Sequence, residues 1–351
     1  MKPYLSIIIP YHNSQKTIGR LLESIHSSTG TPAFEVIIVD DGSDEKFSIF
    51  KFQFSKKVNK KNIKVVRLER NRGPAAARNK GAGVAKGKFL VFLDSDVELF
   101  DDALSNITKT YKNDPDIVAL TGVWVKEQKT DKFFPNYKAL RDWSYWINER
   151  DKSGYYFLFS TRIASIKKTV FARLKGFDES YNAALVEDIE LTYRIARRYA
   201  IIFASNVRVK HEFEDFWPIA KKYYLRSYHW SKLYAKRKKF DPVATTLQEA
   251  ITAISGVGVV GLGIMAILVL PYSITNFQFS IFNFQIMLSQ FYYFHLSLFI
   301  ILLTFHIFLI RKFLVFMAHE KGFWFSFKGF FTGLILYCFI AAGALRAKLN
   351  L

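Results

Sequence analysis

Short apolar runs alternate with amphipathic stretches along the first third of the chain. Four runs have the length and composition of buried strands, and they are residues 4–10, 34–39, 63–68 and 88–93. Segments with helical spacing follow them, at residues 14–27, from Asp44 onward, and at 74–85 and 101–111. This alternation predicts βαβ units with a mostly parallel central sheet, so the expected fold class is α/β.

The C-terminal part of the chain has a different pattern, because residues 250–310 contain no Asp, Glu, Lys or Arg. Residues 251–272 and 291–310 each match the roughly 20 residues that cross a bilayer, and 329–345 is a shorter third candidate. Residues 311–328 mix cations with aromatic side chains, which is typical of a helix at the lipid interface. Residues 277–288 are predicted to form a loop on the far side of the membrane.

These patterns predict three parts of the chain: a cytosolic α/β domain (1–215), a juxtamembrane helical segment (216–248) and a membrane domain (249–351). The loop between the first two spans has no Lys or Arg, whereas four follow the second span. The positive-inside rule therefore places the N-terminal domain in the cytosol of a multi-pass protein of the cell or inner membrane. Arg346 and Lys348 would fall outside if all three candidates crossed, which favours fewer crossings.

The chain carries a net charge of +20, and residues 246–351 account for only six Lys or Arg and two Asp or Glu. A basic domain beside a membrane attracts anionic lipid headgroups and phosphorylated substrates. Nucleic acid is not an expected partner, because no nucleic-acid module accompanies the charge. The single cysteine, Cys338, leaves no disulfide or cysteine-based zinc site within one chain.

Polar residues follow each predicted strand, and the carboxyl ends of parallel strands meet in one crevice. Asp94 and Asp96 follow the fourth run, on the same side of an extended chain, where they can share a hard divalent cation. The alternative is a polar turn with capping aspartates. A dinucleotide-binding dehydrogenase is excluded because the first turn contains Pro10 and no glycine before Gly19, and a P-loop is absent.

Six ordered motifs resemble the inverting family 2 glycosyltransferases of GT-A fold, between Ser6 and His211. They are residues 6–13, 39–43, 71–73 with 77–81, 94–96, 176–179, and 187–191 with Arg194. The resemblance implies that a sugar is transferred from a nucleotide-diphosphate sugar, and it implies a nucleotide-sugar site that contains Pro10, Tyr11, Asn13, Asp40, Asp41, Arg78, Asp94 and Asp96. For residues 40–44 a turn and helix cap is the alternative.

The resemblance further implies a catalytic pair and a cation. Asp188, beside Glu187, would be the general base, although acidic residues also favour helix N-termini. Asp96, with Asp94 and His211, would hold Mn²⁺ or Mg²⁺; an edge histidine is the alternative for His211. Arg78, with Asn79, would orient Asp94 or act only in packing.

The acceptor side is expected to include Gly176, Phe177, Arg226, His229 and Trp230. Residues 226–230 resemble the [Gln/Arg]-x-x-Arg-Trp element of lipid-glycosylating and processive relatives, with His229 in place of Arg, which argues against processivity. The expected function is a membrane-bound, metal-dependent hexosyltransferase of cell-envelope glycan synthesis, acting on a lipid or polyprenyl-phosphate-linked acceptor. A processive polysaccharide synthase and a non-catalytic nucleotide-binding scaffold are the alternatives.

Overall fold

The computed structural model describes residues 2–52, 58–150, 154–181, 183–243, 246–275 and 284–350. The chain divides into two compact units, Met1–Glu214 and Asp215–Leu351.

The first unit is built on a single sheet with helices on its faces. Its strands are β1 (Leu5–Tyr11), β2 (Phe34–Asp41), β3 (Ile63–Leu68), β4 (Phe89–Leu93), β5 (Val97–Leu99), β6 (Ala119–Trp124), β7 (Ile163–Lys167) and β8 (Ile201–His211). Its helices are α1 (Gln15–Ser27), α2 (Pro74–Val84), α3 (Ala103–Asn113), α4 (Phe133–Trp143), α5 (Lys168–Arg173) and α6 (Glu187–Ala196).

Within the described residues, the eight strands lie in the order β3-β2-β1-β4-β7-β6-β8-β5. The first four strands along the chain pair in parallel, as their buried apolar runs predict. β6 also pairs in parallel with β8, whereas β7 is antiparallel to both β4 and β6, and β5 is antiparallel to β8. The predicted α/β class is confirmed, with a mixed sheet of parallel and antiparallel strands.

The prediction of a helix from Asp44 onward is wrong for the described residues 44–52, which contain only a short 3₁₀ turn at Ile49–Lys51. Asp40 explains the difference, because its carboxylate accepts hydrogen bonds from the backbone N–H groups of Ser43 and Phe47, both at 3.0 Å. A side chain that bonds nearby backbone in this way favours a turn over a helix.

The described residues of the second unit form four helices: α7 (Phe216–Arg237), α8 (Leu247–Thr275), α9 (Phe284–Lys321) and α10 (Phe323–Leu349). In the described part of the chain, α8, α9 and α10 are long and apolar enough to cross a membrane. α8 and α9 pack as neighbours around His306, which is buried and lies 2.8 Å from the Ser255 hydroxyl through Nδ1.

Residues 311–328 do not form a helix of their own, in contrast to the prediction. α9 continues to Lys321, and Gly322 alone separates it from α10. Of the predicted loop at 277–288, residues 277–283 lie outside the described residues and the remainder is the start of α9. The apolar residues after Ile310 therefore belong to two long helices.

Candidate active site

The centre of the crevice is a buried ion-pair network around Arg78 of α2. Only 2% of the Arg78 side chain is exposed, and its guanidinium donates to Asp94 Oδ1 at 2.7 Å and to Glu187 Oε1 at 2.9 Å. Burial alone would lower the pKa of Arg78, but the two carboxylates raise it above its ordinary value. Arg78 therefore stays charged and joins the end of β4 to the start of α6.

Glu187 and Asp188 begin α6 and occupy different environments. Glu187 is buried, and its second carboxylate oxygen accepts a hydrogen bond from the Leu185 N–H at 2.9 Å. Asp188 is partly exposed, and its Oδ1 accepts from the N–H of Ile189 at 2.8 Å. The structure thus engages both oxygens of Glu187 inside the protein, while the Asp188 side chain is partly exposed.

Asp96 and His211 meet because β5 pairs with β8 in a register that places Val97 opposite His211. The Asp96 Oδ2 atom lies 3.5 Å from His211 Nε2, and the two side chains are 46% and 10% exposed. The His211 Nδ1 atom is buried without a hydrogen-bond partner among the described residues. Asp94 is directed to Arg78, and the described residues contain no group of three or more His, Cys, Asp or Glu side chains arranged around a cation.

The Asp96 and His211 pair has the chemistry of a partial site for a divalent cation. A carboxylate oxygen and an imidazole nitrogen are both ligands that Mn²⁺ accepts, and phosphates of a substrate complete such sites. The Asp96 side chain is 46% exposed, although its Oδ1 atom is buried. The residues therefore fit a cation that is held jointly by the protein and an anionic ligand.

Asp40 and Asp41 end β2, and both carboxylates bind backbone groups. Asp40 also pairs with Arg67 of β3. Asp41 accepts hydrogen bonds from the N–H groups of Arg72 and Gly73, each at 2.8 Å. In this structure the two aspartate carboxylates hold the loops after β2 and β3 in place. This structural role is the alternative to recognition of a nucleotide base.

The environments of these two aspartates shift their pKa values in opposite directions. Burial alone would raise the pKa of Asp40, but the N–H groups of Phe47 and Ser43 and the Arg67 guanidinium lower it below its ordinary value. Burial raises the pKa of Asp41, and the N–H groups of Arg72 and Gly73 only partly oppose this effect.

The residues after β1 reach the same loops. Only 1% of Tyr11 is exposed, and its ring packs edge-on against Phe47 at 4.8 Å, so the ring belongs to the core. Pro10, by contrast, is partly exposed. Asn13 adopts φ +51°, and its side chain donates to the Asp44 carboxylate and accepts from the Asp44 N–H. Pro10 and Asn13 therefore remain on the crevice side, and the Tyr11 ring does not.

Gly176 and Phe177 form a turn that Asn79 fixes. The Asn79 side chain donates to the Phe177 carbonyl at 2.9 Å and accepts from the Phe177 N–H at 2.8 Å. Gly176 has φ +69°, and a Cβ there would lie 2.4 Å from Asn79 Oδ1. Phe177 itself is buried against Phe92, so its ring does not line an open acceptor surface.

The remaining predicted acceptor residues, Arg226, His229 and Trp230, lie in α7 of the second unit. Trp230 stacks on Phe240, with ring centroids 6.0 Å apart. Burial lowers the pKa of His229, and the nearby cations Lys232 and Arg346 lower it further. The structure gives these residues aromatic and cationic neighbours within the helical unit.

A buried cationic cluster at the carboxyl-end edge of the sheet was not predicted. Lys138 and Asp142 pair on α4, and Arg162, which precedes β7, lies near them, with its guanidinium 4.3 Å from the centre of the Trp124 ring. The Lys138 Nζ atom lies over the Phe213 ring at 4.8 Å. In the sequence, the i,i+4 spacing of Lys138 and Asp142 is the feature that points to this cluster. Such pairs are also common on exposed helices, so the spacing does not predict burial.

Comparison with known proteins identifies the class of this fold. Along the whole chain the structure resembles a mannosyltransferase from Pyrobaculum calidifontis solved with GDP-Man and Mn²⁺, with a TM-score of 0.56, 17% identity and 88% of that chain covered. This likeness confirms a GT-A fold followed by apolar C-terminal helices. Residues 6–175 match the model of glycosyl transferase family 2. The N-terminal part of the chain is a family 2 glycosyltransferase domain.

Curated glycosyltransferases match about a third of this chain. An uncharacterized glycosyltransferase of Haemophilus influenzae is 37% identical over 114 residues, which cover 32% of this chain and 36% of that protein. Poly-beta-1,6-N-acetyl-D-glucosamine synthase of Staphylococcus epidermidis is 32% identical over 118 residues, which cover 34% of this chain and 28% of that protein. The chain thus spans about a third of the length of these relatives.

Proposed function

We propose that the protein is an inverting glycosyltransferase that moves a sugar from a nucleotide-diphosphate sugar to a lipid or lipid-linked acceptor at the cytosolic face of a membrane. The observation that carries the proposal is the Arg78 network, which brings the end of β4 and the start of α6 together. Asp96 follows the first point, inside the residues that match the family 2 model, and Asp188 follows the second, beyond that match.

The donor class is supported by the fold relative from Pyrobaculum calidifontis, which was solved with GDP-Man and Mn²⁺. In our chain, the loops fixed by Asp40 and Asp41 border the crevice next to the strand end that carries Asp94. These loops are the candidate nucleotide site. Their backbone, together with the exposed side of Asn13, is available to the base and ribose.

Inverting transfer is a single displacement, so the acceptor hydroxyl must lose its proton as it attacks the anomeric carbon. Asp188 is the proposed base, because its carboxylate is partly exposed at the first turn of α6. Glu187 is assigned a positioning role, since Arg78 and the Leu185 N–H occupy its oxygens. Arg78 fixes the separation between the donor side and the base side of the crevice.

Asp96 and His211 are the proposed cation ligands, with Asp94 held beside them by Arg78. When bound, Mn²⁺ or Mg²⁺ would supply charge neutralisation to the departing nucleotide diphosphate.

The membrane location is supported by the three long apolar helices and by the cations that follow residue 310. Anchoring a cytosolic active site raises the local concentration of an acceptor that resides in the same membrane. A lipid or polyprenyl-phosphate-linked acceptor therefore fits this arrangement better than a soluble sugar.

The experiment is nucleotide-diphosphate release by the detergent-purified full chain with UDP-, GDP- and dTDP-sugars, a membrane lipid extract, and either Mn²⁺ or EDTA. We expect release from one donor class, dependent on both lipid and cation. If no donor binds and none is turned over, the family-based proposal is overturned. Polymer formed from donor alone would instead support a processive synthase.

Asp188→Asn tests the base. We expect kcat to fall by roughly 10² to 10⁴, the usual contribution of a positioned general base, with little change in donor binding or Tm. Asp178→Asn is the matched control, since Asp178 is exposed and its carboxylate accepts a hydrogen bond from the nearby Ser180 N–H. An unchanged kcat in Asp188→Asn would remove Asp188 from the reaction.

A further inference from the structure

The position of the last helix follows from contacts at its two ends. Gly322 alone joins α9 to α10, so the N-terminus of α10 lies beside the C-terminus of α9. The Ser326 hydroxyl donates to the Leu314 carbonyl at 2.9 Å, which shows that α10 folds back along α9. The start of α10 is therefore on the side of the membrane to which α9 returns.

The other end of α10 packs tightly against α7. The Ser227 hydroxyl donates to the Ile340 carbonyl at 2.7 Å, and the Arg346 guanidinium lies 3.2 Å from the Tyr224 hydroxyl. A Cβ at Gly343 would stand 2.1 Å from the Tyr224 carbonyl oxygen, so the two backbones are in close approach. The C-terminal end of α10 is thus on the side where α7 lies.

α7 lies outside the hydrocarbon because of its charge. It contains six cations, which are Lys221, Lys222, Arg226, Lys232, Lys236 and Arg237. Each would cost about 2.5 to 3.5 kcal/mol at the centre of a bilayer. Residues 238–246, which join α7 to α8, add Lys238, Lys239 and Asp241, so this connection does not cross either. α8 therefore starts on the side of α7.

α8 and α9 run antiparallel, since Gly256 lies beside His306 while Gly263 lies beside Phe299. A crossing by α8 followed by a return by α9 brings the chain back to the side of α7 before α10 begins. Both ends of α10 are then on that side. We propose that α10 does not cross the bilayer, but lies in its cytosolic interface as an in-plane helix whose partner is the lipid surface.

The exposed face of α10 fits this position. Bulky apolar side chains are exposed at spacings of three or four residues in two stretches of the helix, namely Trp324, Phe327, Phe331 and Ile335, and then Leu345 and Leu349. The buried residues are mostly small, namely Ser326, Gly329, Gly333, Leu334, Leu336, Gly343 and Ala347. In both stretches the exposed apolar side chains are available to acyl chains, while the small residues pack on protein.

The charges at the ends of α10 agree with the same arrangement. Lys328 and Lys348 are exposed, and the Arg346 guanidinium lies 5.1 Å from the centre of the Tyr228 ring on α7. Cations in the cytosolic interface meet anionic headgroups. An in-plane α10 thus keeps Arg346 and Lys348 on the side of the membrane that carries most of the Lys and Arg residues. The cytosolic side of α10 rests on the proposed function, whereas its in-plane geometry rests on the helix contacts, on the charge of α7 and on the crossing of α8 and α9.

The first test is labelling of single cysteines in intact and permeabilised cells with a membrane-impermeant maleimide. The background is Cys338→Ala, which removes the only cysteine. Thr275→Cys marks the far end of α8, Lys321→Cys marks the end of α9, and Lys348→Cys is the probe. We expect Lys348→Cys to behave like Lys321→Cys and to label only after permeabilisation. Labelling of Lys348→Cys in intact cells would overturn the proposal.

The second test measures depth and does not depend on the orientation of the protein. Spin labels at Cys338, and at Phe331→Cys and Leu345→Cys in the Cys338→Ala background, are compared in liposomes by their accessibility to oxygen and to a water-soluble nickel complex. An in-plane helix gives the three sites nearly the same depth. A crossing helix separates Phe331 from Leu345 by about 21 Å, and that result would overturn the proposal. Neither readout uses catalysis, so both remain informative if the proposed function fails.

Discussion

Arg78 is the residue on which the crevice depends most, because it is a buried cation between two carboxylates of distant elements. Arg78→Ala leaves Asp94 and Glu187 without their counterion. We expect a loss of about 3 to 5 kcal/mol of stability, the usual cost of removing one partner of a buried ion pair, together with loss of turnover. The apparent Tm of the full chain and nucleotide-diphosphate release measure the two effects.

Arg72→Ala is the matched control for this prediction. Arg72 pairs with Glu179 at 2.7 Å, but half of its side chain is exposed. Exposed pairs contribute about 0 to 1 kcal/mol, so the Tm should barely move. Equal losses in the two variants would contradict a special role for burial at Arg78.

Gly176 provides a second residue-scale prediction. A Cβ at this position meets Asn79 Oδ1, and the φ of +69° is strained for a side chain. We expect Gly176→Ala to cost about 1 to 3 kcal/mol. Gly83→Ala is the control, because Gly83 lies in α2 with nothing within 4 Å of an added Cβ. That variant should be neutral or more stable by about 0.5 to 1 kcal/mol, as measured by Tm.

At the scale of the elements, the parallel half of the sheet could be predicted from the sequence. The strands β1 to β4 are short apolar runs that alternate with helical stretches, which is the pattern of βαβ units and predicts parallel pairing. The antiparallel strand β7 lies outside that alternation, and its pairing with β4 depends on tertiary contacts. The same limit applies to the site. The motifs place Asp94 and Glu187 in the crevice, but the two bonds from Arg78 depend on how α2 and α6 pack.

The turn after β2 should make the protein sensitive to acid. The folded-state pKa of Asp40 is lowered, so its ionised form adds stability above the ordinary value of 3.8. That stability is lost as the pH falls through the lowered pKa. Asp40→Asn should cost about 2 kcal/mol at pH 7, as for a hydrogen bond to a charged group, and the difference from wild type should shrink towards pH 3.

Circular dichroism melts from pH 7 down to pH 3 test this prediction. Asp131→Asn is the comparison, since Asp131 is exposed in the turn before α4 and its melting curve should follow wild type at each pH. If the difference in stability between wild type and Asp40→Asn stays constant with pH, Asp40 stabilises the fold through the packing of its side chain and not through its charge.

For the whole molecule, the distribution of charge predicts a salt effect. Of the twenty net positive charges, sixteen lie upstream of residue 246. This charge should draw an anionic acceptor towards the membrane-proximal enzyme, and salt screens such attraction over about 10 Å at 0.1 M and about 3 Å at 1 M. We expect kcat/KM for the lipid acceptor to fall several-fold between 50 and 500 mM NaCl, with kcat nearly constant. Steady-state kinetics in liposomes at both salt concentrations measure this, and an equal fall in kcat would indicate a different origin.

The single residue between α9 and α10 also couples the length of one helix to the orientation of the other. Gly322 adopts φ +89°, so the chain reverses without a loop that can absorb an extra residue. Adding one residue near the end of α9 turns everything after it by about 100° around the helix axis. The apolar face that includes Trp324 and Phe331 would rotate away from lipid, and the small residues of α10 would leave α7. Insertions and deletions in this turn should therefore be far less tolerated than those in residues 238–246.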